Sequence, residues 1–595
     1  MTSYSAPTKD MAFVINELAE LPAINQLPGF EDATADLVAA VLDEAARLAS
    51  EVLAPLNQSG DMSGSRIEGG EVRTPEGFKE AYQTFVEAGW QGLAFDPVHG
   101  GQGLPQTVAT AVNEMWQSAN LAWSLCPMLS EGAIIALESH ASEALKEQYL
   151  AKMISGEWAA TMNLTEPQAG SDLAAIKTRA ERSGDHYLIT GQKIFITWGD
   201  QDFSENIIHL VLARIPDAPP GIKGISLFLV PKYLTAPNGT PGERNDVHPV
   251  SIEHKLGIHA SPTCVMSYGD RGGAVGYLVG KEHNGIACMF TMMNHARLAV
   301  GLQGLSISER AYQQALGFAR ERVQGRIAKK KERVTIIHHP DVRRMLMMMK
   351  AGTEAMRALC YVTASSLDYS HHAIDKALAQ KHSELFLLLT PVVKGWCSEL
   401  AQELTSLGVQ IHGGTGYIEE TGAAQHFRDA RITTIYEGTT GIQAMDLIGR
   451  KIINDEGKVL KALIADMRET ARALPRTGHE SLAAIHGHYL AGIEALEKAT
   501  SWLLENYRND PNAPGSVAFL FLMLTGTVCG GWQMARAALI ADERLNEGAA
   551  EESFYKSKIV TSCFYAEHFL PRAQAFLESI TAGSETVMAL DNEQF

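Results

Sequence analysis

Cysteine is scarce and scattered in this sequence. The seven cysteines show no Cys-x-x-Cys pair; they stand at positions 126, 264, 288, 360, 397, 529 and 563. Clustered cysteines mark zinc sites and disulfide frameworks, so this spacing argues against both and predicts buried thiols in a reducing compartment. His412 also lacks a carboxylate or second histidine spaced as a ligand set, and we predict no bound metal.

Positive charge is in deficit. The chain has 69 acidic against 50 basic residues, a formal net charge of −19. Nucleic acids and anionic membranes attract basic surfaces. The charge balance therefore argues against a general binder of either, while a local basic pocket for a phosphorylated ligand remains compatible with it.

The sequence predicts neither a secretory leader nor a membrane span. The first ten residues lack the charged and apolar regions of a secretory signal, so we expect a cytoplasmic protein. The stretch 517–535 has 19 residues without a charge, close to membrane-spanning length. Its glycines and polar residues lower its hydrophobicity. The favoured interpretation is a helix buried in a bundle, and we expect no stable membrane insertion.

The length of 595 residues calls for several domains, because single cores stop growing near about 250–300 residues. Helical periodicity dominates both ends, and β-rich runs between Pro and Gly clusters occupy the middle. We predict an extension (1–33), a helical domain (34–158), a β domain (159–280), a helical bundle (281–450) and a further helical region (451–595). Predicted strands cover 159–164, 186–193, 207–213, 224–231 and 263–267.

Glu437 stands between an apolar–aromatic pair and a run of small residues. Ile435 and Tyr436 would exclude water from its carboxyl group, and desolvation raises a carboxyl pKa toward that of a general base. Gly438 has no Cβ and would let a substrate approach the backbone. Most Glu-Gly dipeptides are surface turns, so the segment by itself leaves both interpretations open.

Two other segments carry groups suited to a nucleotide or an aromatic ring. In the loop 164–173, the amides of Gly170 and Ser171 can meet phosphate oxygens, and Thr165 offers a hydroxyl near a ring nitrogen. A plain β-turn is the alternative. In the strand pattern that follows, Phe195 can stack on a ring, although a phenylalanine in a strand is usually a core residue.

Residues 410–416 combine the end of a helix with glycines, for which a glycine helix stop is the alternative. Together, residues 164–173, 191–199, 408–417 and 428–443 resemble the acyl-CoA dehydrogenase family of flavoproteins in order and spacing. The resemblance covers about residues 40–450. It is closest to a long bacterial branch with an extra C-terminal region, often named for 3-methylthiopropionyl-CoA dehydrogenases.

The resemblance implies an α+β multidomain fold. Its parts are an N-terminal helical domain, a middle β-barrel-like domain and a C-terminal helical bundle, here with an additional C-terminal helical domain. The implied cofactor is FAD, and Glu437 would remove the α-proton of an acyl-CoA while a hydride passes to the flavin. Implied substrate contacts are Ser171, Asn294, Arg297, Tyr436 and Gly438. Implied FAD contacts are Leu164, Thr165, Gly170, Ser171, Phe195, Ile196, Thr197, Arg322, Gln324, Gln410, Gly413, Gly414, Thr439 and Gly441.

The substrate and the partners stay open at this stage. The resemblance implies either a fatty acyl-CoA or 3-methylthiopropanoyl-CoA, with electron-transfer flavoprotein or a similar acceptor, and a homodimer. An acyl-CoA oxidase of the same fold would be revealed by its peroxide yield. A DNA-associated flavoprotein would be revealed by a salt-dependent gel shift. The charged run Lys329–Arg333 is interpreted as a solvated loop, with attraction of a nucleotide phosphate as the alternative.

Overall fold

The computed structural model describes residues 4–328, 332–477 and 480–595. Lys329–Lys331 lie outside the described residues. The chain divides into two compact units. The sheet unit comprises Ala45–Leu104 and Met115–Ala296, and the helical unit comprises the residues up to Glu44 with Pro105–Glu114 and Arg297–Phe595.

Helices precede the main sheet in the chain, with one short hairpin that the sequence did not predict. Pro55 occupies the first turn of a helix, where its missing amide hydrogen costs nothing. The elements are α1 (Thr8–Phe13), α2 (Leu21–Ile24), α3 (Ala35–Leu48), α4 (Pro55–Ser63), β1 (Arg66–Glu68), β2 (Glu71–Arg73), α5 (Phe78–Glu87), α6 (Gln106–Ala119), α7 (Leu121–His140) and α8 (Glu143–Ile154).

A strand is present at each of the five predicted positions of the middle region. Further strands were missed because they are short or mostly polar. The strands are β3 (Trp158–Asn163), β4 (Arg179–Ser183), β5 (His186–Thr197), β6 (Asn206–Arg214), β7 (Ile225–Pro231), β8 (Tyr233–Thr235), β9 (Pro241–Arg244), β10 (Val247–Ile252), β11 (Thr263–Tyr268) and β12 (Ala274–Val279).

The strand pairing of the main sheet closes on itself. β5 pairs with β12, β12 with β7, β7 with β6, and β4 bridges β6 back to β5. β3 extends the sheet in parallel beside β6, and β11 and β10 extend it beside β5. β6 and β7 are apolar along most of their length and are almost wholly buried, as expected for strands in the centre of a closed sheet.

Long helices follow the sheet. A π-helical segment, Asp446–Ile453, continues the helix Thr440–Met445, so the hydrogen-bond pattern changes partway along this helical stretch. The helices are α9 (Gly285–Glu321), α10 (Pro340–His372), α11 (Lys376–His412), α12 (Ala423–Ala430), α13 (Thr440–Met445), α14 (Lys458–Ala473), α15 (Glu480–Asn506), α16 (Ala513–Asn546), α17 (Glu552–His568) and α18 (Arg572–Thr581).

The uncharged stretch 517–535 lies within α16 and packs against α10, α11 and α13. A Cβ on Gly526 would lie 2.2 Å from Trp396 Cγ, so the glycine lets α16 approach α11 closely. By length and composition α7 and α16 could each cross a membrane, and 83% and 67% of their apolar windows are buried inside the protein. A core helix of a globular protein shows the same pattern.

The predicted burial of the cysteines is confirmed for six of the seven. All seven are free thiols in the described residues, and Cys563 is half-buried. Burial raises the pKa of the Cys529 thiol to about 12, which keeps it protonated and unreactive.

Candidate active site

Glu437 lies in a strained connection between two helical segments of the helical unit. Its backbone is left-handed with φ 55°, and Gly438 follows with φ 90°. A non-glycine residue in this region carries a cost of about 1–3 kcal/mol, which the surrounding structure must offset. The same dipeptide and backbone recur at Glu456 and Gly457, with φ 55° and 73°. The dipeptide alone therefore does not distinguish a site from a turn, whereas the contacts around it do.

Three side chains hold the Glu437 connection in place. The Gln443 side-chain amide donates to the Glu437 carbonyl at 3.0 Å, and the Thr440 hydroxyl donates to Glu399 at 2.6 Å. The Tyr436 hydroxyl donates to the Gln303 side-chain carbonyl. A Cβ on residue 438 would lie 2.6 Å from Gln443 Nε2. Glycine is favoured here because the backbone is left-handed, and a side chain would also displace the Gln443 amide, while substrate approach at Gly438 stays a prediction.

The Glu437 carboxyl group has the protonation behaviour of a base. The residue is half-buried, but its carboxyl group is surrounded by protein. Burial raises its pKa to about 7, against the opposing attraction of Arg297 and then of Lys394. A carboxylate with this pKa is partly ionised at neutral pH and still binds a proton well, as general-base catalysis requires.

Arg297 and Lys394 are buried cations that act on Glu437. Burial lowers the pKa of the Arg297 guanidinium, opposed by Asp446 and Glu437. The nearest Arg297 nitrogen lies 3.9 Å from Asp446 Oδ2. Burial also lowers the pKa of Lys394 to about 8, opposed by Glu437 and then Glu399. Sequence reasoning identified Arg297 but missed Lys394, because a lysine inside a helix carries no signal of its burial.

One expectation about this region needs correction. Ile435 is 46% exposed in the chain, so it does not exclude water from Glu437; Tyr436 packs inward instead. The predicted substrate contacts Asn294 and Arg297 lie near the third turn of α9, which begins at Gly285.

In the sheet unit, the loop that contains Thr165 forms a tight turn after β3. Glu166 and Ala169 exchange backbone hydrogen bonds of 3.0 and 2.9 Å, and Ile194 donates to the Thr165 carbonyl at 2.9 Å. Gly170 and Ser171 are exposed, and a Cβ on Gly170 would meet no atom within 4 Å. The turn is therefore rigid at its base and open at the positions predicted to meet phosphate.

Glu166 anchors this turn, and the sequence did not single it out. Its buried carboxylate accepts hydrogen bonds from Lys193 Nζ at 2.8 Å and from the Thr178 hydroxyl at 2.6 Å. Burial alone would raise the pKa of Glu166, but Lys193 and these hydrogen bonds hold it at about 2. Lys193 Nζ also donates to the Leu164 carbonyl at 2.9 Å. One ion pair thus fixes the backbone on both sides of Thr165.

Phe195 lies near the end of β5 and points outward from the sheet. Its backbone is left-handed with φ 58°, and it is 59% exposed. The alternative of a core phenylalanine is therefore excluded for this chain. Ile196 packs in the core of the sheet unit, so only its backbone is available to a cofactor, and the carbonyl of Thr197 accepts from Thr161 at 2.7 Å. An exposed ring beside an open, amide-lined turn fits an aromatic cofactor that carries phosphates.

The remaining predicted FAD contacts lie in the helical unit. Thr439 caps α13 by accepting from the Ile442 amide, and Gly441 is exposed in the first turn. Gln410 is exposed near the end of α11, with Gly413 as its cap and Gly414 exposed beyond it. Arg322 and Gln324 are exposed after α9. None of these surface residues contacts the Glu437 carboxyl through a described hydrogen bond, and their roles stay predictions.

The structure divides the predicted site residues between the two units. Arg297, Tyr436, Glu437 and Gly438 lie together in the helical unit, whereas the Thr165 turn and Phe195 lie in the sheet unit. Within the described residues, no three His, Cys, Asp or Glu side chains are placed to hold a metal ion.

Comparison with known families accounts for nearly the whole chain. The N-terminal, middle and C-terminal domains of acyl-CoA dehydrogenases match residues 38–157, 161–270 and 283–453. A domain described as "Acetyl-CoA dehydrogenase C-terminal like" matches residues 463–591. The chain belongs to the acyl-CoA dehydrogenase family. It is an FAD-dependent oxidoreductase with the fold predicted from its sequence.

Individual relatives share this full length. A 3-methylmercaptopropionyl-CoA dehydrogenase of Ruegeria pomeroyi is 46% identical over 98% of this chain and 99% of its own. A broad-specificity linear acyl-CoA dehydrogenase of Mycobacterium tuberculosis is 36% identical over the whole of both chains. The Caenorhabditis elegans ACDH-11 structure in complex with C11-CoA has the same fold, with a TM-score of 0.78, 21% identity, and coverage of 99% of this chain and 96% of that one.

Proposed function

We propose that this enzyme removes the α-proton of an acyl-CoA thioester with Glu437, forming a trans-2-enoyl-CoA. The observation that carries the role is the carboxyl group itself. It is held by a pinned, left-handed backbone, and its pKa is raised to about 7 beside two buried cations. FAD, when bound, accepts the β-hydride.

The residues of this chain would act on the thioester in two further ways. The carbonyl oxygen gains negative charge as the α-proton leaves, and the Glu437 backbone amide is the proposed donor for it. A preorganised donor of this kind contributes about 3–4 kcal/mol. Because Gln443 holds the Glu437 carbonyl, the peptide on which this geometry depends has little freedom.

The FAD is proposed to bind along the exposed Phe195 ring, the Thr165 hydroxyl, and the Gly170 and Ser171 amides. The buried pair of Glu166 and Lys193 keeps that turn in shape. Electron-transfer flavoprotein or a similar acceptor would reoxidise the flavin, and the enzyme would work as a cytoplasmic homodimer. Peroxide yield during turnover and the mass in light scattering test the acceptor and the dimer.

For the acyl group we propose 3-methylthiopropanoyl, supported by the 46% identity to the Ruegeria pomeroyi enzyme against 36% to the linear-chain enzyme. A linear fatty acyl group is the second candidate, which the Mycobacterium tuberculosis relative favours.

An anaerobic flavin-reduction screen decides between these substrates. Pentanoyl-CoA is the matched control, because it differs from 3-methylthiopropanoyl-CoA only by CH2 in place of sulfur. We expect faster bleaching by the thioether. Equal or faster bleaching by pentanoyl-CoA or by longer chains would favour the linear-chain function, and no bleaching by any ester would contradict the proposed reaction.

A further inference from the structure

Lys394 is a buried cation that lacks a direct partner. Its side chain is 0% exposed, and its ammonium nitrogen makes no hydrogen bond in the described part of the chain. The other buried lysines there each bond to a carboxylate: Lys193 to Glu166 at 2.8 Å, Lys232 to Asp200 at 2.6 Å and Lys558 to Glu354 at 2.8 Å. An unbonded ammonium in the interior is costly, so Lys394 is an exception that calls for a reason.

The elements packed against α11 place Glu437 among the charges around Lys394. α11 packs against the 3-10 turn Arg431–Thr434 and against α13, the two segments that flank Glu437. Of the charged groups that act on Lys394, Glu437 attracts it first, Glu399 follows, and Arg297 repels it. The Glu399 carboxylate already accepts the Thr440 hydroxyl at 2.6 Å, and that bond belongs to the scaffold of the connection. The Glu437 carboxylate is therefore the group whose charge depends most directly on Lys394.

The helix around Lys394 packs closely against two neighbouring helices. A Cβ on Gly301 of α9 would lie 2.4 Å from Val393 Cγ1, and a Cβ on Gly304 would lie 2.5 Å from the Cys397 carbonyl oxygen. On another side of α11, a Cβ on Gly395 would lie 2.7 Å from Leu522 Cδ1 of α16. Two helices thus fix the backbone on either side of residue 394, and the ammonium stays buried.

We propose that Lys394 is a positioning residue whose buried positive charge keeps Glu437 ionised and ready to accept a proton from the substrate. This inference rests on the proposed role of Glu437. After proton transfer, Glu437 is neutral, and the charges of Lys394 and Arg297 then favour release of the proton, which restores the base. Direct hydrogen bonding would hold the carboxylate too tightly, so the absence of such a bond leaves Glu437 basic.

The test replaces Lys394 with a neutral side chain of similar length, Lys394→Met. Loss of the positive charge destabilises the Glu437 carboxylate, so we expect the acid limb of kcat/KM for anaerobic flavin reduction to move up by about one pH unit or more. The rate at pH 7 should fall about tenfold and recover at higher pH. Lys394→Arg should keep the wild-type midpoint, and so should Thr390→Val, one turn away on α11.

A second measurement does not depend on turnover. The Glu437 carboxyl band in infrared spectra, assigned by its loss in Glu437→Gln, is titrated in the substrate-free holoenzyme. In Lys394→Met its midpoint should rise by the same amount as the kinetic limb. An unchanged midpoint would overturn the proposal. If no CoA ester bleaches the wild-type flavin, the proposed function fails, while this titration still decides the influence of Lys394.

Misfolding of Lys394→Met would also be informative. If the lysine balances the charge of Glu437, combining Lys394→Met with Glu437→Gln should restore folding and FAD retention. If the double variant is as unstable as the single one, the lysine has only a packing role and the proposal is wrong.

Discussion

The helical unit contains two buried groups of charges, and they are built in opposite ways. In the first, Arg357 binds Glu114 at 2.6 Å and Glu309 at 2.8 Å and also bonds to Asp10, while the Tyr361 hydroxyl donates to Glu114 at 2.6 Å. In the second, the Glu437 carboxylate forms no ion pair within 4 Å in the described residues, although the charges of Arg297 and Lys394 act to lower its pKa.

The difference shows that buried charges can either hold a carboxylate in its ionised form or leave its pKa near that of a base. Burial alone would raise the pKa of Asp10, but Lys558 and Arg357 hold it well below its usual range. That carboxylate is locked in its ionised form, beside a cavity of about 120 Å³. The pKa of Glu437 stays near 7 because its cations stabilise the carboxylate only in part. In the first group, burial also raises the pKa of Glu114 despite its bonds to Arg357 and Tyr361, so the contrast holds between Asp10 and Glu437 and not for every carboxyl group.

The largest expected effect is a loss of catalysis, and it concerns the group around Glu437. Glu437→Gln removes the base and should slow anaerobic flavin reduction about 10⁴-fold, since general-base catalysis contributes up to that factor. The FAD spectrum and CoA-ester binding should persist. Glu456→Gln is the matched control, because it alters the other Glu-Gly dipeptide with the same backbone and should leave the rate unchanged. Rapid bleaching by Glu437→Gln would remove Glu437 from its role.

Breaking the Arg357 group should affect stability instead. Arg357→Met leaves several carboxylates buried without their cation, and we expect a loss of about 3–5 kcal/mol in the free energy of unfolding. Flavin reduction per folded holoenzyme should stay at the wild-type rate. Arg344→Met is the control on the same helix, since its pair with Asp341 is exposed and contributes about 0–1 kcal/mol. Equal losses in the two variants would contradict the comparison.

The stability of the fold should fall as pH rises, because ionising the buried Glu437 carboxyl group costs folding free energy. The pKa of Glu437 is about 7 when folded against 4.5 for a free group, so ionisation destabilises the fold as pH rises through this window. Glu437→Gln should therefore be more stable than wild type at pH 8, by up to about 3 kcal/mol. The difference should vanish below about pH 4.5. A constant difference across this pH range in thermal unfolding would contradict the raised pKa.

The smallest effect concerns the tether on the Glu437 backbone. Gln443→Met keeps the side-chain length but loses the bond to the Glu437 carbonyl, at a cost of about 1 kcal/mol. We expect about a tenfold lower rate of flavin reduction with substrate saturating, because the carboxyl group loses its fixed direction. A wild-type rate would show that Gly438 and Tyr436 are enough to hold the Glu437 carboxyl group in place.

Sequence patterns predicted the parts of the fold that repeat along the chain. The apolar β6 and β7, the long helices and the buried α16 follow from periodicity and composition. The short or mostly polar strands such as β4 and β9 do not, because their pairing rather than their composition makes them strands.

The family and a candidate base could be predicted from the sequence, because Glu437 and the Thr165 loop are short, contiguous segments whose residue types match one chemistry. The positions that tune and hold them come from elsewhere in the chain: Lys394, Gln303 and Glu399 near the base, and Lys193 behind the turn. A side chain's charge state depends on what packs around it, and packing brings together residues that are distant in the chain. Residue identity was therefore enough to indicate the reaction, whereas only the folded helices decided how basic Glu437 is.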